Sequence, residues 1–398
     1  MPGDRFLLIK ASSSELWENV HHAVVMLLAA ELTGRTPVIF WGTNCLFDGK
    51  LYNDAFSMYF EPVSQYTIYE VMRRDYSYYP PIWKHDNLMS DDPDKESNIY
   101  RNIGDLLASD ANVVVSDTNI SVKQLIPWIG KDHELYGMTP LMMYRRLMDR
   151  YIRPKSDIAA AVKSFRDKYI NGSQPVLAVH MPGDLPLGIY PQISAFTKLN
   201  MSYHSNMHIT RNDVFEVDET IDQHQTVRLM DAAIPQDPYK AYHPEIRKTL
   251  GRFAIKKMLL ITDREDVIDE FKEEYGSMVF CSDCERIAAG DACRSGGLET
   301  FLSMRSKGVE TLVDTYAAAA CDFFIGYGSS ELSHAVIRLR DWPETNFKLH
   351  YWMFSKLYNF TYQFVKTGRK SPEEADGRLR LIIKNAENSL RRVASVFK

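Results

Sequence analysis

Lys257 to Asp283 reads KMLLITDREDVIDEFKEEYGSMVFCSD, and Gly308 to Val336 reads GVETLVDTYAAAACDFFIGYGSSELSHAV. In each stretch a short apolar run stops at small or acidic residues and gives way to a helix-like segment. Lys257–Ile261 is a buried-strand run that stops at Thr262-Asp263. Asp322–Gly326 is a second run, stopping at Tyr327-Gly328-Ser329-Ser330 before the helical Glu331 to Leu339. Strand followed by helix is the grammar of an α/β sheet, in which ligands gather at the carboxyl ends of strands beside helix N-termini that favour phosphate. Gly328 lets a ligand approach the backbone, and Ser329 and Ser330 offer hydroxyl and N–H donors. The second stretch reads as a cradle for a diphosphate or a sugar nucleotide.

Outward from this core, the same grammar opens the chain. Arg5–Lys10 is a strand run, and Trp17, Val20, Val24, Leu27, Leu28 and Leu32 keep helical spacing. Gly34 stops that helix, and Pro37–Trp41 is the next strand. This β-α-β opening predicts a parallel sheet, with Asn112–Ser116 as a further strand. Asp75–Lys95, rich in Tyr, Pro and Asp, reads as an irregular surface insertion. Its Tyr76, Tyr78, Tyr79 and Trp83 either stack on sugar rings or pack on one another. Pro154–Ile170 is helical, Gly172–Pro175 is a break, and Val176–His180 is a buried strand ending at Met181-Pro182-Gly183-Asp184. Leu185–Pro244 shows little periodicity beyond a helix near residues 220–233, and a charged helix closes the chain over residues 372–396.

Length and composition fit this organisation. The 398 residues exceed one ordinary core and predict two domains. We place them at 1–171 and 172–350, followed by a helical segment, 351–398, that packs back on the first. The chain is 45% hydrophobic and 25% charged, as soluble globular proteins are. A net charge of -5 lends no support to nucleic-acid binding. No apolar run approaches the roughly 20 residues that span a bilayer, and the start of the chain lacks a signal-peptide layout. The expectation is a cytoplasmic protein, with peripheral contact at an inner membrane left open through Arg378, Arg380, Arg391 and Arg392. Among the five cysteines, Cys281, Cys284 and Cys293 have C-x2-C-x8-C spacing. A fourth ligand at zinc-site spacing is missing, so the cluster reads as free thiols and no metal is expected.

Taken together these segments resemble the fucosyltransferase-like GT-B glycosyltransferases, the group of nodulation, α-1,6- and protein O-fucosyltransferases. The resemblance runs through Leu16–Leu32 and Thr33-Gly34-Arg35-Thr36-Pro37-Val38, which is similar to the opening helix and strand entry. It continues through Arg153–His180, Leu260–Asp263, Phe280–Asp283 and Val313–Ser330. It implies two Rossmann-like domains facing a cleft and transfer of a sugar, fucose foremost, from a GDP-linked donor with inversion and without a metal. The nucleotide-sugar is then the substrate and no cofactor is needed; the acceptor is a glycan or glycolipid. His180 and Asp184 become the candidates for donor-pocket and base chemistry. Gly183, Thr262, Asp263, Asp283, Gly328, Ser329 and Ser330 become donor-binding candidates. Glu15, Glu18 and Asn19 fall on the acceptor side, Asn19 where the family commonly carries an Asn. Each also has a structural reading: a satisfied buried histidine for His180, a turn cap for Asp184, helix caps for Asp263, Asp283, Ser329 and Ser330, and dipole pairing for Glu15 and Glu18.

One departure stands out. The family's H-x-R motif supplies an arginine whose planar fork can hold a diphosphate. Here the motif reads His180-Met181-Pro182-Gly183-Asp184, and Pro182 donates no hydrogen bond. Arg211, Arg264, Arg294 and Arg305 are the candidates to replace it. A different nucleotide-hexose donor, or a sugar- or nucleotide-binding protein without turnover, are the rival readings.

Overall fold

The structure is a computed structural model, and it describes residues 5–11, 14–42, 54–90, 103–116, 120–172, 174–182, 242–283, 301–328 and 330–350. The fold is α/β with two parallel sheets. The first contains β1 (Phe6–Ile9), β2 (Thr36–Ile39), β3 (Tyr78–Tyr79) and β4 (Val113–Ser116) in the order β2-β1-β4-β3. The second contains β5 (Val176–His180), β6 (Lys257–Ile261), β7 (Val279–Phe280), β8 (Phe323–Tyr327) and β9 (Phe347–His350) in the order β7-β6-β5-β8-β9, again all parallel. Strands β1, β4, β5 and β8 are buried along their whole length, which is why they read as continuous apolar runs rather than alternating ones.

The helices are α1 (Leu16–Thr33), α2 (Phe56–Tyr59), α3 (Ile68–Val71), α4 (Ile103–Ala108), α5 (Pro140–Tyr151), α6 (Ser156–Phe165), α7 (His243–Phe253), α8 (Glu265–Tyr275), α9 (Phe301–Ala320) and α10 (Glu331–Arg338). Helix α1 is buried on nearly every side from Leu16 to Ala30, in keeping with its apolar residues all round. It ends at Gly34, whose backbone is left-handed (φ 60°, ψ 32°) and donates its N–H to Ala30 and Glu31. Helix α5 starts with Thr139 accepting the N–H of Met142 and with Pro140 in the first turn, where its missing donor does no harm.

The described residues fall into two compact units. One comprises Met1–Ser173, Cys281–Cys321 and Glu331–Trp342; the other comprises Gln174–Phe280, Asp322–Ser330 and Pro343–Lys398. The chain therefore passes from the first unit to the second at residue 173, returns at 281, and leaves again only for β8 and the segment after Trp342. Helices α9 and α10, which bracket β8 in the chain, both belong to the first unit. There α9 packs on α6 and α10, and α10 packs on α1 and α5.

Two readings change at this level. The described part of the expected insertion, residues 75–90, is less irregular than expected, since Tyr78–Tyr79 pairs in parallel with Val113–Val114 at the sheet edge. Its aromatics pack internally. Trp83 is 1% exposed, and the Lys10 ammonium sits 4.8 Å from the centre of its ring. The helix expected over 154–170 runs from Ser156 to Phe165 and widens into a π turn over Arg166–Ile170. The helices expected near 220–233 and 372–396, and the four arginines on the latter, lie outside the described residues.

Candidate functional site

Strand order marks a topological switch point in the second unit. From β5 the chain adds β6 and then β7 on one side, and later β8 and β9 on the other. The order reverses between β5 and β8, and in open parallel sheets ligands bind outside the carboxyl ends of the two strands that flank such a reversal. His180 is the last residue of β5, and Tyr327 is the last of β8, followed by Gly328 and Ser330. Thr262 and Asp263 follow β6 next door. Five of the predicted residues (His180, Thr262, Asp263, Gly328 and Ser330) thus share one edge of one sheet.

Their environments differ. The His180 ring is 5% exposed, and burial pushes its pKa down to about 3, so it is a neutral imidazole at pH 7. It can exchange hydrogen bonds but adds no positive charge beside a phosphate. Met181 after it is fully buried and donates its N–H to Ile261 at 2.9 Å. Thr262 is buried and accepts the N–H of Arg264 at 3.3 Å, while Asp263 is exposed. Gly328 is buried in the turn after β8, and Ser330 donates its N–H to Tyr327 at 3.1 Å.

Asp283 is exposed and groups with the first unit. Gly183, Asp184 and Ser329 lie outside the described residues, as do Cys284 and Cys293. Of the candidate replacements for the arginine absent at Pro182, Arg264 donates through Nε to Asp266 at 2.8 Å and pairs with it a second time through Nη2. Arg305 pairs with Asp157 at 2.5 Å within the first unit. Arg211 and Arg294 lie outside the described residues.

A second polar cluster, in the first unit, was not foreseen as such. Glu331, His334 and Arg338 occupy one face of α10 at i, i+3 and i+7. The His21 Nδ1–H donates to Glu331 Oε2 at 2.5 Å; His334 Nδ1 lies 3.6 Å and Arg338 Nη1 3.8 Å from the same oxygen. Burial and the charge of Arg338 lower the His21 pKa to about 3. Burial works against ionisation of Glu331, but His334 and His21 outweigh it and hold the carboxyl well below its usual range. The pair is thus a neutral imidazole donating to a carboxylate. The Arg338 guanidinium lies 3.8 Å over the Tyr144 ring, and His21 meets that ring edge-on. One helical step on, His22 Nε2 hydrogen-bonds the buried Ser116 hydroxyl at 2.9 Å.

The acceptor-side candidates sit at the head of α1. Glu15 is exposed and occupies the N-cap position without a side-chain cap. Asn19 is fully buried, its amide donating to the carbonyls of Ser14 at 3.1 Å and Glu15 at 3.2 Å. Glu18, between them, is half-buried. Burial and then the charge of Glu331 raise its pKa, with the Ser14 hydroxyl pulling the other way. The His-His pair inside an apolar helix and the Glu-His-Arg spacing of α10 were the available sequence signals for this cluster. Among the described residues no group of three or more His, Cys, Asp or Glu is arranged to hold a metal ion, and no helix is long and apolar enough to cross a membrane.

No protein-family model and no curated protein sequence matches the chain. Solved structures with a similar course include a NodZ alpha-1,6-fucosyltransferase soaked with GDP-fucose, at 17% identity and TM-score 0.48, covering 84% of this chain and 92% of that one. POFUT1 in its apo form is 13% identical with TM-score 0.44, covering 86% and 96%. A FUT1 mutant of Arabidopsis thaliana in complex with GDP is 10% identical with TM-score 0.44, covering 84% and 68%.

Proposed function

We propose that the chain is a GT-B glycosyltransferase that takes a sugar, fucose foremost, from a GDP-linked donor and passes it to a hydroxyl of a glycan or glycolipid. The transfer is inverting and needs no metal, as the motif resemblance implies. The observation that carries the reading is the edge of the second sheet, where His180 ends one and Gly328 follows the other of the two strands that flank the strand-order reversal, and Thr262-Asp263 follow the strand beside them. A departing diphosphate needs fixed hydrogen-bond donors in place of water, and the Thr262 and Ser330 hydroxyls belong to this edge. Gly328 and Ser330 serve the phosphates, neutral His180 serves as a hydrogen-bond partner, and Asp263 serves the ribose or base. Asp184 stays a base candidate by its place after β5. The protein works in the cytoplasm, with peripheral membrane contact where the acceptor is a glycolipid.

Pro182 favours one second reading, a nucleotide- or sugar-binding protein without turnover. The decisive experiment is a thermal-shift series with GDP, UDP, ADP, CMP and their sugar conjugates, followed by transfer assays. A nucleotide at a hundred times its Kd stabilises by about 2.7 kcal/mol. Selective stabilisation by GDP, weakened about tenfold in affinity by Ser330→Ala or His180→Asn in folded variants, supports the reading. UDP alone would keep the enzyme class and discard fucose. Stabilisation with no sugar transfer would favour the binding protein, and no response to any nucleotide would sink both.

A further inference from the structure

We infer that the first unit carries a binding site for a neutral saccharide, a monosaccharide or the end of a longer glycan, at the amino ends of its strands. A cavity of about 400 Å³ lies there, lined by Arg5, Leu32, Thr33, Leu107, Ala108 and Trp128. All six residues belong to the first unit. Arg5 directly precedes β1, Leu32 and Thr33 close α1 ahead of β2, and Leu107 and Ala108 close α4 ahead of β4. Trp128 ends a 3-10 turn over Val122–Trp128. The cavity is therefore at the opposite end of the first sheet from the carboxyl ends of its strands, and it stands apart from the donor edge proposed above. Arg5, Ala108 and Trp128 are exposed, so it opens to solvent. Its volume falls in the range of small-molecule sites, roughly 300–1,000 Å³.

The walls select the ligand. Trp128 is 45% exposed, whereas Trp17, Trp41, Trp83 and Trp342 are buried. An indole face left open at a cavity is an apolar platform with a negative quadrupole, which suits the C–H face of a pyranose ring. Leu32 and Leu107, both half-buried, extend the apolar wall. Hydrogen-bonding capacity comes from the helix ends and from Arg5. The last carbonyls of a helix have no N–H one turn further on. Gly34 and Arg35 donate to Ala30 and Glu31, which leaves the carbonyls of Leu32 and Thr33 to accept from a ligand. Arg5 gives one N–H to the Ser109 carbonyl at 3.2 Å and has further donors on its guanidinium. Acceptors and donors around an apolar face match a ring with hydroxyls at its rim.

Charge argues against the other ligand classes. Arg35 donates to the same Ser109 oxygen at 2.5 Å, and Asp110 follows Ser109 in the chain. Two guanidiniums against one carboxylate leave a single positive charge. The C-terminal ends of α1 and α4 offset it by up to about half a negative charge each. The surroundings are close to neutral, so neither an anion nor a cation gains over an uncharged ligand.

The test uses the full chain, with saturation-transfer NMR and titration calorimetry against methyl glycosides of glucose, galactose, fucose and N-acetylglucosamine, and against lactose and chitobiose. At least one should bind saturably. Trp128→Ala should weaken it by about tenfold, and Trp128→Phe, which keeps an aromatic face, should lose less. Arg5→Gln should weaken it by about threefold. Both side chains are at the surface, so the variants should melt with the wild type, and GDP affinity should stay unchanged in Trp128→Ala. Glucuronic acid and glucosamine should bind no more tightly than glucose. Silence from every sugar, binding undiminished in Trp128→Ala, or displacement of the sugar by GDP overturns the inference. A chain that binds sugar here and no nucleotide keeps the inference and sinks the transferase reading; one that binds GDP and no sugar does the reverse.

Discussion

Ser116 and His22 show how much a single buried contact is asked to carry. The Ser116 hydroxyl is fully buried and gives His22 Nε2 its hydrogen bond, while His22 Nδ1 has no partner among the described residues. Ser116→Ala removes the hydroxyl partner but keeps the backbone of residue 116 as a partner for the ring, so the expected loss is about 1 kcal/mol. Urea denaturation should show the midpoint falling with the slope unchanged. Ser116→Thr, which keeps the hydroxyl, should lose less. Arg35 follows the same logic without exposure to solvent. It is 4% exposed and donates to the carbonyls of Phe6 at 3.2 Å, Ala111 at 2.8 Å and Ser109 at 2.5 Å. The Thr33-Gly34-Arg35 stretch was legible as a helix stop and strand entry. That its arginine ties β1 to the loop before β4 was not, because its partners lie more than 70 residues ahead.

At the scale of elements, α9 depends on a close approach. A Cβ placed on Gly308 would overlap the ring of Tyr59, the last residue of α2, and Tyr59 is fully buried. The ring cannot swing into solvent, so Gly308→Ala must push α9 away from α2. We expect a loss of about 1–3 kcal/mol, set against the modest gain in helix propensity that the same change brings at an exposed site. A thermal melt of the variant that matched or exceeded wild type would show that the helix can shift at no cost. The elements themselves were largely legible. Strands β1, β5, β6 and β8 are unbroken apolar runs, and α1 has clear helical spacing. Strand β3 was not, since two tyrosines in a Tyr- and Pro-rich stretch carry no periodicity and pair only because β4 is there to receive them.

For the whole molecule, pH is the sharpest lever. His21, His22 and His180 are buried and neutral, with pKa values pushed down to about 3, 4 and 3, chiefly by burial. An unfolded histidine titrates near about 6.5. Below that pH the unfolded chain takes up protons that the folded chain refuses, so stability is present above about pH 6.5 and declines as pH falls toward 4. Proton uptake on unfolding should approach one per buried histidine near pH 5, measured as the dependence of the urea midpoint on pH. His22→Gln should make that dependence shallower. A stability flat from pH 7 to 5 would contradict the burial of these rings.

What the amino-acid sequence determined by itself was the α/β class, the positions of most strands and helices, and the strand ends at His180, Thr262-Asp263 and Gly328. These follow from periodicity, apolar runs and stop residues, which act over a few residues. What only the tertiary structure decided was which elements share a core. Helices α9 and α10 leave the sheet of β8 and join the first unit. That step brings Glu331 to His21 across 310 residues and Thr315 to Trp17 across 298. A hydrogen bond between side chains so far apart leaves no local pattern, because it forms only when two separately specified surfaces bury each other. The sequence therefore displayed the strand ends, while the ionised state of Glu331 arose from His334 and His21, neighbours that only the folded chain provides.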